Sequence, residues 1–92
     1  MIDATTIQFQ NFFAGVKNQA HTSDRDKFTY KVGSRYIKII RDGSAHCFVD
    51  RTNGDVLKAA SWNAPAKHAR GNINHYDFGL GCMGMYGAAY LR

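Results

Sequence analysis

Cysteine, proline, tryptophan and acidic residues are all scarce in this chain. Two cysteines, Cys47 and Cys82, stand among 92 residues. Two thiols cannot form a disulfide framework, and neither sits in the CxxC spacing of redox and zinc sites. Reduced thiols in a cytosolic compartment are therefore expected. No apolar run approaches the length that spans a bilayer, so no membrane association through a spanning helix is expected. The opening MIDATTIQFQ has neither a charged n-region nor a continuous apolar h-region, which argues against a secretory signal. Seven Asp plus Glu face twelve Lys plus Arg, leaving a net charge of +5. Such an excess favours acidic partners, whether nucleic acid, anionic lipid or an acidic protein face.

What is present is ordinary for a globular protein. The hydrophobic fraction is 45% and the charged fraction 21%, outside the disordered range. A chain of this length makes one domain, residues 1–92, with a core too small for a second. One Trp, five Tyr and six Phe are expected to carry much of that core.

Residues from Asp3 to about Asn18 read as a helix, with Ile2, Phe9, Phe12, Phe13, Val16 and Ala20 at helical spacing on one face. Thr5 and Gln8 fit a capping box, with Asp3 as a competing cap. The polar stretch 19–27, which includes His21, reads as a loop. Alternation predicts strands at Phe28–Val32, Tyr36–Arg41 and Ala45–Arg51, joined by turns at Gly33-Ser34 and Asp42-Gly43-Ser44. Thr52-Asn53-Gly54-Asp55 then leads into a fourth strand, Val56–Ala60. A two-residue Asn-Gly loop would set Arg51 opposite Val56 and mix polarity on both faces. A three-residue loop with Gly54 left-handed sets Arg51 opposite Asp55 instead. We prefer the second register, because it segregates the faces. It points Ile37, Ile39, Val49 and Leu57 at the helix and leaves Tyr36, Lys38, His46, Phe48 and Lys58 outward with Ile40 and Val56. Residues 61–72 (SWNAPAKHARGN) read as a short basic helix capped by Asn63, with Pro65 in its first turn and Gly71 at its stop. The tail after Ile73 is rich in glycine and aromatics. The fold class is thus α+β: an N-terminal helix on an antiparallel sheet of about four strands, then a short basic helix and a Gly-rich tail.

From His46 to Ile73 the residues HCFVDRTNGDVLKAASWNAPAKHARGNI resemble a family of short uncharacterised proteins encoded by tailed bacteriophages. The shared pattern is H-C-F-V-D, then G-D-V-x-K-x-A-S-W-x-x-P-A-K-x-x-R-x-N-I. It covers roughly the middle third of the chain. The resemblance implies a viral origin and a compact motif, but no mechanism; together with the expected reduced thiols and the lack of a secretory signal, it makes the host cytoplasm the expected location.

Two surfaces are candidate sites. In the segment Trp62 to Arg70, Lys67 and Arg70 could hold phosphates on one helical face, with His68 nearby and Trp62 stacking a base. The bland alternative is that Trp62 and Pro65 anchor a connection while the charges are solvated. On the outer sheet face Tyr36 and Phe48 could stack bases while Arg35, Lys38 and Lys58 meet the backbone, as in sheet-based single-strand binders. The alternative there is a covering tail, with Tyr76, Phe78, Met83, Met85 and Tyr86 burying the face. Gly79–Gly84 matches GxGxxG but lacks the βαβ context of a dinucleotide site. His46, Cys47, His68, His75 and Cys82 lack zinc-ligand spacing, and Cys82, His75 and Asp77 come with no oxyanion site. No catalytic residue, metal or cofactor is expected. The first expectation is a non-enzymatic accessory protein that binds DNA or RNA. The second is a module that binds a host or phage protein, and an open aromatic sheet would also suit a homodimer.

Overall fold

The computed structural model describes residues 1–19 and 26–74, and the backbone of 83–84 and 87–88; of His68 only the backbone is described. Helix α1 (Ile7–Gln19) is followed by strands β1 (Phe28–Val32), β2 (Tyr36–Arg41), β3 (Ser44–Asp50), β4 (Asp55–Ala59) and β5 (Pro65–Asn72). These five form one antiparallel sheet in the order β1-β2-β3-β4-β5. Two short strands, β6 (Met83–Gly84) and β7 (Gly87–Ala88), pair with each other.

The helix packs through the stripe its spacing predicts. Phe9, Phe12 and Val16 are buried, and Phe13 is packed partly against the same core. Phe9 and Phe13 stack at 6.0 Å, and Tyr30 meets both edge-on at 5.4 and 5.2 Å. Thr6, not Thr5, stands at the helix start: its carbonyl accepts the Gln10 amide at 3.0 Å. Asp3 instead organises the turn before the helix, accepting hydrogen bonds from the Thr5 amide and hydroxyl at 2.8 and 2.6 Å. Opposite the helix, Phe28, Ile37, Ile39, Cys47, Val49, Val56 and Ile73 complete the core. Each large apolar side chain buried here contributes about 1.5–3 kcal/mol.

The β2–β3 hairpin turns on Asp42 and Gly43, both at positive φ (48° and 82°). That is the conformation in which the turn's twist matches the strands. Further along, Ile39 faces Cys47 but Ile40 faces Ala45, so His46 is an extra residue in a bulge. The bulge breaks the alternation on which an outward His46 was expected. His46 is buried, with its ring edge-on to Phe28 of the core at 5.0 Å.

The β3–β4 register differs from both sequence expectations. Val49 faces Val56 and Phe48 faces Leu57, so four residues, 51–54, make the connection. The Asp50 carboxylate holds the first half, accepting from the Thr52 amide at 2.9 Å and hydroxyl at 2.6 Å. The Gly54 amide then donates to the Asp50 carbonyl at 2.8 Å, and the Asn53 side chain accepts the Asp55 amide at 2.8 Å. These side-chain bonds stabilise a longer turn than the Asn-Gly pair alone suggests. The one-residue difference reverses β4. Val56, expected outside, enters the core; Leu57, expected inside, joins Phe48 on the outer face. Lys58 moves with Val56 to the helix side, opposite Cys47.

The second difference is β5. Residues 65–72 form an edge strand rather than a short basic helix. Pro65 suits this as well as a helix start, because the first residue of an edge strand has no ladder donor to supply. The Ala60 and Ser61 amides both donate to the Ala64 carbonyl, at 3.0 and 3.1 Å, which closes the hairpin. Asn63 does not cap; its side chain accepts from Lys38. A helix this short is marginal alone, whereas pairing satisfies the open edge of β4. The end of β5 then locks onto the turn: the Asn72 side-chain amide donates to the Asn53 carbonyl at 2.8 Å and to Asp55 at 3.0 Å, and the Ile73 amide donates to the Gly54 carbonyl at 2.9 Å.

The backbone of 83–84 runs beside α1 and that of 87–88 beside β3 and β4, so this small hairpin lies on the helix side of the sheet. Ala20, His21, Tyr76, Phe78, Met85 and Tyr86 lie outside the described residues.

Gly54 is buried with φ +83°, and a Cβ there would meet the Asn74 side chain at 2.8 Å and Asn72 and Ile73 at 3.1 Å. Left-handed strain and crowding therefore act together. Gly54→Ala is predicted to destabilise the fold by at least about 2 kcal/mol, seen as a lower urea midpoint. An unchanged midpoint would contradict the interlock.

Candidate nucleic-acid interface

The outer sheet face is built by alternation. Lys31 on β1, Tyr36 and Lys38 on β2, and Phe48 and Asp50 on β3 share it by register, with Lys31 directly opposite Lys38 and Lys38 directly opposite Phe48. The tight Gly33–Arg35 turn closes β1 onto β2, its Gly33 amide donating to the Tyr36 carbonyl at 2.9 Å. Arg51 fixes that turn from below. Its guanidinium donates to the Gly33 carbonyl and, at 2.7 Å, to the Ile2 carbonyl, while its own amide donates to the Arg35 carbonyl at 2.8 Å.

A concavity of about 370 Å³ opens here, lined by Lys31, Gly33, Ser34, Arg35, Tyr36, Lys38, Phe48 and Asn63. Its floor is aromatic: Tyr36 meets Phe48 edge-on at 6.0 Å. Phe48 is only 3% exposed, so it supports the floor and offers no open face. Its cations are held unequally. Arg35 lies 5.2 Å above the Tyr36 ring and 3.5 Å from Asp50. The Lys38 ammonium sits 3.8 Å from the centre of the Trp62 ring and donates to Asn63 at 3.2 Å. Lys31 has no carboxylate partner among the described residues. The cation–π contact at an exposed site is worth about 0.5–1 kcal/mol, less than the roughly 1.5–3 kcal/mol of a hydrogen bond between a charged donor and acceptor.

Burial works to raise the Asp50 carboxyl's pKa, but the Thr52 hydrogen bonds and the Arg35 charge outweigh it and hold the group below the usual range. Asp50 is therefore a fixed anion that orients Arg35. A second concavity, of about 330 Å³, shares Arg35 and Tyr36 as a common wall and continues along Asp50, Asp55, Leu57 and Lys67.

Arg35, Tyr36, Lys38, Phe48 and Trp62 are thus brought together, and Lys67 lines the adjoining concavity. Lys58 is separated from them on the helix side. Lys67 and Arg70 do not share a helical face, because β5 is a strand. Arg70 occupies a bulge between Ala69 and Gly71, which face Leu57 and Val56. The side chain of His68, and the residues His75, Asp77 and Cys82, lie outside what is described. Sequence reasoning missed Lys31 and Asn63. Lys31 was within reach, since a tight turn at Gly33–Arg35 sets it opposite Lys38; Asn63 was not, since its position depends on β5 being a strand.

Residues 1–86 match the model of a family of unknown function, DUF7717, and the chain belongs to that family. The match takes in α1 as well as the segment from His46 to Ile73. Comparison with curated proteins and with solved structures gives no match. No helix among the described residues is long and apolar enough to cross a membrane.

His46 lies on the core side at the other end of the β2–β3 hairpin, apart from this surface. Its Nε2 is buried with no hydrogen-bond partner, and burial, aided by the nearby Arg41 charge, lowers its pKa to about 4. The unfolded chain takes up this proton near pH 6.5 and the folded chain near 4, so the stability of the neutral form is lost as pH falls between those values. The wild type is predicted to lose on the order of 1–3 kcal/mol to this group over that window, and His46→Leu to flatten the slope. Urea midpoints that change by the same amount between pH 6.5 and 4.5 in the wild type and in His46→Leu would contradict the assignment.

Proposed function

We propose that this protein is a non-enzymatic accessory protein that binds single-stranded nucleic acid on its outer sheet face, through Lys31, Arg35, Tyr36, Lys38 and Trp62. The observation that carries the reading is Lys31 directly opposite Lys38, with Arg35 lining the same concavity. Like charges opposite one another cost stability, and a bound phosphate would relieve that cost. Aromatic rings beside a cationic track are the means by which single strands are held without sequence readout. Lys67 stands in the adjoining concavity, where the Asp50 and Asp55 carboxylates bound the cationic track on that side. The likeness of residues 46–73 to tailed-phage proteins supports a phage origin and a role in the host cytoplasm.

A second reading rests on Trp62, which is 46% exposed with the Lys38 ammonium against its ring. An exposed aromatic paired with a cation also anchors acidic protein faces, so the same surface could dock a host or phage protein. A partner recovered from host extract after nuclease treatment would favour that reading.

Binding of a labelled oligothymidylate and an oligouridylate, measured at 50 and 200 mM salt, separates the two. Three phosphate contacts give a log–log slope of about −2, roughly tenfold or more weakening over this range. Lys31→Gln should reduce the slope by about 0.7. Absence of binding at 50 mM salt, or binding insensitive to salt, overturns the reading.

A further inference from the structure

The only tryptophan of the chain is covered on one side by a lysine that belongs to the cationic cluster. Lys38 has two possible employments. At rest its ammonium lies over the Trp62 ring and donates to Asn63. It also lines the concavity with Lys31 and Arg35, and the Asp50 carboxylate on the same sheet face is engaged by Arg35 and Thr52. The contact to Trp62 is weak and the bond to Asn63 sets the ammonium against a neutral amide oxygen, whereas an incoming phosphate pairs it with an anion.

We propose that the concavity is a phosphate subsite, that Lys38 leaves Trp62 to hold the phosphate with Lys31 and Arg35, and that the uncovered indole then stacks the adjoining base. This deepens the single-strand reading and rests on it for the identity of the ligand. Phosphate and base would thereby be recognised in sequence: the charge opens the platform, and the base occupies it. A ligand with phosphate and no base would open the platform without filling it. A nucleoside without phosphate would find that face of the ring still covered.

Tripolyphosphate, octathymidylate and thymidine are the probes, and Trp62 emission at constant ionic strength is the signal. Tripolyphosphate is expected to change the emission as the ammonium leaves the ring, octathymidylate to quench it further, and thymidine at the same concentration to leave it unchanged. Lys38→Met should abolish the tripolyphosphate response and weaken tripolyphosphate binding about tenfold by calorimetry. Trp62→Ala should weaken octathymidylate about tenfold and tripolyphosphate by less than about twofold. Octathymidylate binding with no tripolyphosphate effect on Trp62 overturns the latch and leaves the single-strand reading standing. A tripolyphosphate response without octathymidylate binding overturns the single-strand reading and the stacking step together. Should Lys38→Met fail to fold, the wild-type responses to tripolyphosphate and thymidine decide alone: equal responses overturn the latch.

Discussion

The rest of the structure depends on how residues 51–54 join β3 to β4. Asp50 pins the entry through Thr52, Gly54 supplies the left-handed exit, and Asn72 and Ile73 close over both. Strand side chains alternate, so the length of this connection decides which half of β4 faces the helix. The four-residue turn sends Val56 into the core and Leu57 out to Phe48. Both are buried, so the sheet has apolar contacts on two sides, not one. The same turn carries Lys58 to the helix side, which confines the outer cationic cluster to β1, β2 and their turn.

That confinement gives the surface its character. Arg51 ties the β1–β2 turn to the N-terminal segment, which fixes Arg35 and brings Lys31 and Lys38 face to face. Nothing in the packing requires three cations there. Like charges on adjacent strands are a cost the fold carries, partly offset by Trp62, Asn63 and Asp50. A local departure from the rules that favour stability is where function is to be sought. The residues shared with the phage-like pattern divide along this line. His46, Cys47, Val49, Gly54, Asn72 and Ile73 serve the core and the interlock, Asp50 serves both the interlock and Arg35, and Phe48 and Trp62 meet the cationic cluster.

Much of the scaffold was legible. The stripe of Phe9, Phe12 and Val16 announced the helix, and β1 and β2 begin and end where alternation places them. The register of β4 was not legible, because alternation alone implies one buried face and this sheet has two. Phe48 and Leu57 form a second apolar contact that makes the alternative register affordable. His46 was misplaced because a bulge leaves no mark in a period-two pattern. Residues 65–72 carry helix punctuation in Asn63, Pro65 and Gly71, and the open edge of β4 overrode it. Of the site, Arg35, Tyr36, Lys38 and Trp62 could be named from residue types alone. Their meeting in one place could not, since Trp62 reaches Lys38 only through the β4–β5 hairpin.

The central claim is that single-stranded nucleic acid is held on the β1–β2 side of the outer face. Backbone amide and Trp62 indole shifts, followed by heteronuclear NMR during titration with an octanucleotide, test it most directly. The account predicts that perturbations concentrate on residues 31–38 and 62–63 and on the indole, with α1 and Lys58 unmoved. Shifts centred on α1 or on the helix side of β4, or no shifts at low salt, would contradict it.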